Sequence, residues 1–434
     1  MNDVSIVDGW LPISVCAVAG MLVVLALIGK ISRRWIIVTA AAALAGAGLG
    51  LALVPVAEGP NGFDTVLDPI ASAWICAAFA AIGAMIVALF RGGAKRRVLA
   101  GIAIPFVLFS AAFGMNAQFG QYPTIGSLSA APVAERMPAS VAAMQRNLAP
   151  KASATTSSDP GEETVHPANR GLVSKVTIPA SESQFPARDA YVYLPPAALG
   201  PHPERMPVLI MLSGQPGGPE NVVQAGALRE VMDGWAEQDH GRAPIVVVPD
   251  QLGDPESNPM CVDSKLGNSA TYLTVDVPNW IEANLGVRTG PENWGIGGFS
   301  QGGTCAIQLG SAHPEIFSAI LDVSGQLEPS SGSRANTVKL GFGGSEESYS
   351  AALPLTLLEK NAPYKNTVAV FGSGSLDDRY GPRIDTVAEA ARQAGMQVTR
   401  VVSPDTAHNW QTVQWVMRHS LEPILNHFGV GPGQ

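Results

Sequence analysis

The sequence predicts two architectures in tandem: an N-terminal region of four transmembrane helices, then an α/β domain with a mostly parallel sheet. Three observations carry this. Four long apolar stretches without internal charge fall within the first 115 residues. From Gly171 onward, short apolar runs bounded by Gly and Pro alternate with helical patterns. One of those runs ends in Gly298-Phe299-Ser300-Gln301-Gly302, a serine set between glycines where a strand passes into a helix.

The apolar stretches are Leu11–Gly29, Ile36–Val56, Ile70–Phe90 and Val98–Met115. Each is close to the ~20 residues needed to cross a bilayer core. The segment ahead of the first carries Asp3 and Asp8 and no Lys or Arg, which argues against a cleavable signal peptide. The first gap holds Lys30, Arg33 and Arg34; the second holds Glu58, Asp64 and Asp68; the third holds Arg91, Lys95, Arg96 and Arg97. Basic loops stay in the cytoplasm, so both ends of the four-helix region (residues 1–115) are expected outside it, and the catalytic domain with them. No ionisable residue lies inside a span, which favours an anchor over a channel or carrier. Small residues across Ala40–Gly50 suit close helix packing.

Composition narrows the outer part. The chain of 434 residues is 15% charged, with a net charge of −9 and no long basic run, so a nucleic-acid partner is not expected. CxxC, HExxH and GxxxxGK[ST] are absent from the sequence. Residues 116–170 read as an Ala/Pro/Ser-rich linker, exemplified by Ser153–Pro160, with a short helix at Ala139–Leu148. Residues 171–434 read as one domain. Its strands are Leu172–Ile178, Ala190–Leu194, Val208–Leu212, Ile245–Val248, Trp294–Phe299, Ala319–Val323, Val368–Phe371 and Gln397–Val402. Its helices are Glu220–Glu237, Tyr272–Leu285, Gly302–Ala312, Tyr380–Ala394 and Trp410–His427. In such sheets the chemistry gathers at the strand C-termini.

The glycines around Ser300 point to a nucleophile elbow: a strained turn lifts the hydroxyl, and side chains at the flanking positions would collide. The amide of Gln301 and the helix N-terminus then face a developing oxyanion. Gly295-Ile-Gly297 also opens a dinucleotide-loop pattern, with Asp322 at ribose distance, but the third glycine position is Ser300. A hydrolase of this kind needs an acid and then a histidine after the serine. Asp377 follows the strand Val368–Phe371 and is the expected acid; Asp378 is the alternative, and Asp322 a more remote one. His408, in the loop before the last helix, is the expected base. His166, His202, His240, His313, His419 and His427 fit less well by position. The loop after Val208–Leu212 offers Gln215 as second oxyanion donor through its backbone. Cys261 and Cys305 are a possible disulfide that would pin the Gln251–Ala270 loop. Cys16 and Cys76 read as small fillers within spans.

The motifs Gly297-Gly-Phe-Ser300-Gln-Gly-Gly303 and His408-Asn-Trp410, with Trp415 beyond and Tyr349–Leu358 before the acid strand, resemble the Putative esterase family of α/β-hydrolases. That family includes esterase D and the antigen 85 mycolyltransferases. The four-helix anchor resembles that of membrane-bound actinobacterial members. The resemblance implies an α/β-hydrolase fold, a Ser300, His408 and Asp377 triad, and acyl-ester hydrolysis or acyl transfer. The acid loop offers aspartates where antigen 85 proteins carry a glutamate.

The expectation is a membrane-anchored extracytoplasmic serine esterase acting on acyl esters, with a cell-envelope lipid or glycan as candidate substrate and no cofactor or metal. The alternatives are an acyltransferase moving an acyl group to an envelope sugar, an inactive hydrolase fold that binds the envelope, and a channel or carrier with an appended domain. Residues 326–366 lie between strands as a candidate lid or acyl pocket.

Overall fold

The structure, a computed structural model, describes residues 4–28, 32–57, 67, 69–128, 134, 136–151, 170–200 and 202–432. Lys30, Glu58, Asp64, Asp68, His166 and Ser153–Pro160 lie outside the described residues. The chain divides into two compact units, Met1–Ala131 and Pro132–Gln434.

The first unit holds four helices, α1 (Trp10–Leu27), α2 (Arg33–Ala57), α3 (Pro69–Arg91) and α4 (Ala94–Phe119), each long and apolar enough to cross a membrane. Large apolar side chains such as Leu44, Leu51, Phe90 and Phe109 are exposed on this unit. Backbone contact replaces side-chain interlock between α2 and α3. A Cβ at Gly46 would lie 2.1 Å from the Phe79 carbonyl oxygen, and one at Gly83 would lie 2.3 Å from that of Ala42. Only small residues permit that approach. At the basic ends, the Arg96 guanidinium lies 4.2 Å from the centroid of the Trp35 ring, a cation–π contact.

The second unit is built, among the described residues, on an eight-stranded sheet. In chain order its strands are β1 (Leu172–Val176), β2 (Ala190–Leu194), β3 (Val208–Leu212), β4 (Ile245–Val248), β7 (Trp294–Phe299), β8 (Ala319–Val323), β9 (Val368–Gly374) and β10 (Gln397–Ser403). The two-residue strands β5 (Asp263–Ser264) and β6 (Gly267–Asn268) pair apart from them. The spatial order is β1-β2-β4-β3-β7-β8-β9-β10, antiparallel at β1/β2 and β2/β4 and parallel elsewhere. This is the α/β-hydrolase arrangement. Strands β2, β3, β4, β7, β8 and β9 are buried along their whole length, which is why they read as continuous apolar runs rather than alternating ones.

Three helices differ from the sequence reading. Glu220–Glu237 is two helices, Pro219–Gln224 and Leu228–Ala236, broken where Ala227 takes φ 49°. Tyr272–Leu285 begins as a π-helical turn, Tyr272–Asp276, before Val277–Asn284. Trp410–His427 divides into Trp410–Ser420 and Glu422–His427, because Pro423 has no amide hydrogen to continue the ladder. The candidate lid carries helices Arg334–Gly341, Glu346–Ala351 and Pro354–Asn361.

The sequence reading runs the linker through to residue 170, but part of it is docked on the second unit. The helix Ala139–Leu148 inserts Gln145, which is fully buried. Its Nε2 donates to the Ala198 carbonyl at 2.8 Å, and its Oε1 accepts from the Gly286 amide at 2.9 Å. Lys151 adds a 2.7 Å ion pair with Glu282. Replacing Gln145 by Leu strands a buried carbonyl and a buried amide. We expect a loss of about 2–5 kcal/mol in the stability of this unit, read as a lower denaturant midpoint with the m-value unchanged.

Candidate active site

Crowding fixes Ser300 first. Where β7 meets the Gln301–Ala312 helix, a Cβ at Gly298 would lie 2.3 Å from the Gly302 carbonyl carbon, and one at Gly302 would lie 2.4 Å from the Ser213 carbonyl oxygen. Ser300 between them takes φ 56° and ψ −115°, a backbone that a side chain rarely adopts. Its amide donates to the Val323 carbonyl at 2.8 Å, and its carbonyl accepts from Thr304 at 2.9 Å.

The strained turn points Ser300 Oγ at His408 Nε2, 2.8 Å away. His408 Nδ1 lies 3.1 Å from Asp377 Oδ2. Asp377 follows β9 and His408 follows β10, and the two loops are stitched together. The Leu376 amide donates to the Thr406 carbonyl at 2.9 Å, and the Asp405 amide donates to Ser375 Oγ at 2.8 Å. Asn409 caps the Trp410–Ser420 helix by accepting from the Thr412 amide at 3.0 Å, which holds His408 one residue before the cap.

Asp377 is buried, whereas Asp378 is exposed. Burial pushes the Asp377 carboxyl up, but the His408 ring and the Tyr380 amide at 3.0 Å hold it below the usual carboxylate range. Asp322, at the end of β8, has the opposite surroundings. It is fully buried; its Oδ1 accepts from the Gly325 amide at 2.9 Å and its Oδ2 has no partner. Burial pushes its carboxyl up to about 7, against the smaller pull of that amide and of Arg400.

Two aromatic contacts on His408 were not found from sequence. Tyr380 stacks on the imidazole with centroids 4.2 Å apart, and Phe299 lies against it at 4.9 Å. The only sequence signal for Tyr380 was its place three residues after the acid.

The loop after β3 passes directly against Ser300. A Cβ on Gly214 would lie 3.2 Å from the Phe299 ring and 3.5 Å from Ser300 Cβ. The Gln215 side chain turns away to donate to the Glu256 carbonyl at 3.2 Å. Gln301 is the first residue of its helix. Among the described residues, no protein acceptor lies in hydrogen-bonding position to either the Gln215 or the Gln301 amide. Cys261 and Cys305 are joined as a disulfide with Cα atoms 5.6 Å apart, tying the 251–270 loop to the nucleophile helix. Cys16 and Cys76 are free thiols.

A second serine–histidine contact exists at the opposite end of the strands. His427 Nε2 lies 2.7 Å from Ser318 Oγ, but that hydroxyl also donates to the Pro291 carbonyl at 2.7 Å. A carbonyl can only accept, so His427 must donate to Ser318 and cannot serve it as a base. His419 stacks on Trp415 with centroids 4.8 Å apart. Among the described residues, no group of three or more His, Cys, Asp or Glu is placed to hold a metal ion.

Residues 183–419, more than half of the chain, match the family described as Putative esterase. The chain belongs to that family. An uncharacterised protein of Corynebacterium glutamicum is 34% identical over 320 residues, covering 72% of each chain. Among solved structures, a ferulic acid esterase superposes with a TM-score of 0.50 at 19% identity, over 60% of this chain and 99% of that one. An S-formylglutathione hydrolase from Agrobacterium tumefaciens gives 0.49 at 19% identity, over 60% and 97%. The likeness to the first is one of fold. Family membership makes this chain an enzyme that hydrolyses esters or transfers acyl groups.

The Asp322 carboxyl yields a stability prediction. Its ordinary value is 3.8 and its folded value about 7. Below about pH 4 it is neutral in both folded and unfolded chains; above about pH 7 the folded chain must bury a charge. Stability of the wild type should therefore fall as pH rises across that window. Asp322→Asn keeps the acceptor for Gly325 and removes the titration. The variant should melt progressively higher than wild type between pH 4 and pH 8, a gap amounting to a few kcal/mol, measured by thermal scans in matched buffers.

Proposed function

We propose that this protein is a membrane-anchored serine esterase whose catalytic domain works outside the cytoplasm, through a Ser300, His408 and Asp377 triad. The observation that carries the reading is the continuous Ser300–His408–Asp377 hydrogen-bonded line at the C-terminal ends of β7, β10 and β9. His408 Nε2 takes the proton of Ser300 as Oγ attacks the acyl carbonyl. Asp377 holds the Nδ1 hydrogen and offsets the imidazolium charge, with Tyr380 and Phe299 fixing the ring plane. The amides of Gln301 and Gln215 receive the oxyanion. The tetrahedral adduct collapses, and the His408 proton leaves with the alcohol. Water, deprotonated by His408, then attacks the acyl-enzyme and releases the acid.

The anchor reading rests on helices α1–α4 and on charge. Arg33 and Arg34 open α2, Arg91 closes α3, and Lys95–Arg97 open α4, so these ends face the cytoplasm and the opposite ends face out. An envelope lipid or glycan ester is then within reach as substrate. Acyl transfer to a sugar hydroxyl uses the same acyl-enzyme with a different second nucleophile.

A membrane-impermeant fluorophosphonate applied to intact cells should label the wild type and leave Ser300→Ala unlabelled. Labelling only after lysis would reverse the topology; no labelling of folded wild type in either state would overturn the triad. Ser300→Ala should lower kcat by about four orders of magnitude or more. Asp377→Asn should cost about 10⁴ by presenting the wrong tautomer, whereas Asp378→Asn should stay within twofold of wild type, measured on p-nitrophenyl butyrate.

A further inference from the structure

We propose that Gln251 is a positioning residue that locks the two halves of the oxyanion site to each other, an inference that rests on the esterase reading above. Gln251 follows β4 and is fully buried. Its Nε2 donates to the Ser213 carbonyl at 2.7 Å and to Gln301 Oε1 at 3.0 Å. Ser213 stands two residues before Gln215, and Gln301 carries the other oxyanion amide. A single side-chain nitrogen therefore joins the two segments, 88 positions apart in sequence, that must present their amides to one oxygen.

The orientation of this amide is determined. The Ser213 carbonyl can only accept, so the nitrogen faces it. Gln301 then continues the line, with its Nε2 donating to Asn258 Oδ1 at 3.1 Å. Gln251 Oε1 is left buried without a partner. A side chain serving only to fill space would be apolar here and would avoid that cost. The same segment grips the far end of the loop. Asp250, also fully buried, accepts both Arg188 Nε and Nη2 at 2.8 Å, and Nη2 donates onward to the Gly217 carbonyl at 3.0 Å. The 213–217 turn is thus held at one end by Gln251 and at the other by Arg188.

The test compares wild type, Gln251→Leu, Gln301→Met and the double variant as full-length proteins in detergent. Gln301→Met keeps the backbone amide and removes the acceptor of Gln251 together with the donor to Asn258. The substrates are p-nitrophenyl butyrate and its thiono analogue, in which C=S replaces C=O and fits an oxyanion site poorly. Each single variant should lose about 10- to 100-fold in kcat with KM within threefold. The oxygen-to-sulfur rate ratio should fall toward one, and the double variant should fall no further than the lower single. An unchanged kcat in either folded single variant, an unchanged oxygen-to-sulfur ratio, or fully additive losses would overturn the proposal. Should Gln251→Leu not fold, Gln301→Met carries the kcat and oxygen-to-sulfur readouts by itself. Wild type that shows no Ser300-dependent hydrolysis of the oxygen ester would instead sink the esterase reading itself.

Discussion

Everything at the site depends on the lack of room between β7 and the helix after it. Gly298 and Gly302 touch backbone to backbone, and neither position tolerates a Cβ. That contact closes the turn so sharply that Ser300 must adopt a positive φ. The strain is held by the buried strands on either side, with the Ser300 amide donating across to Val323. The hydroxyl has one direction left, toward His408. Loosening the turn would relax the serine and lose the aim of its hydroxyl together with that of the following amide.

Around this fixed point the protein sets two aspartates on adjacent strands in opposite electrostatic states. Asp377, after β9, has the His408 ring and the Tyr380 amide against it and is held ionised beside the histidine. Asp322, at the end of β8, has one amide and the pull of Arg400 against its burial, and burial favours its neutral form. Both side chains are buried, so depth alone does not decide the charge. The number of donors facing each carboxylate does.

The strands and the serine turn were legible because they are local. Continuous apolar runs mark doubly covered parallel strands, and tight glycines mark the elbow. His408 was legible because it lies in the loop between the last strand and the final helix, after the serine and the acid. Asp377 and Asp378 are neighbours of one type, and only three-dimensional surroundings separate them. The break at Ala227 left no mark, since nothing about alanine announces a positive φ. Pro423 did signal the split of the last helix, but the apolar periodicity on either side masked it. Gln145, Gln251 and Arg188 were out of reach for another reason. Their partners lie 29 to 141 residues away, and a buried glutamine or arginine looks in sequence like any surface one.

The Ser318–His427 pair has a consequence for counting active enzyme. Among the described residues, two serines stand within 3 Å of a histidine nitrogen, yet only one has its hydrogen at the histidine's disposal. The other is spoken for by Pro291. Proximity of the two residue types is thus no measure of reactivity, and the molecule supplies its own internal control. A serine-directed titrant should saturate at one equivalent per chain, so the titrated fraction reads directly as the fraction of molecules with an intact elbow.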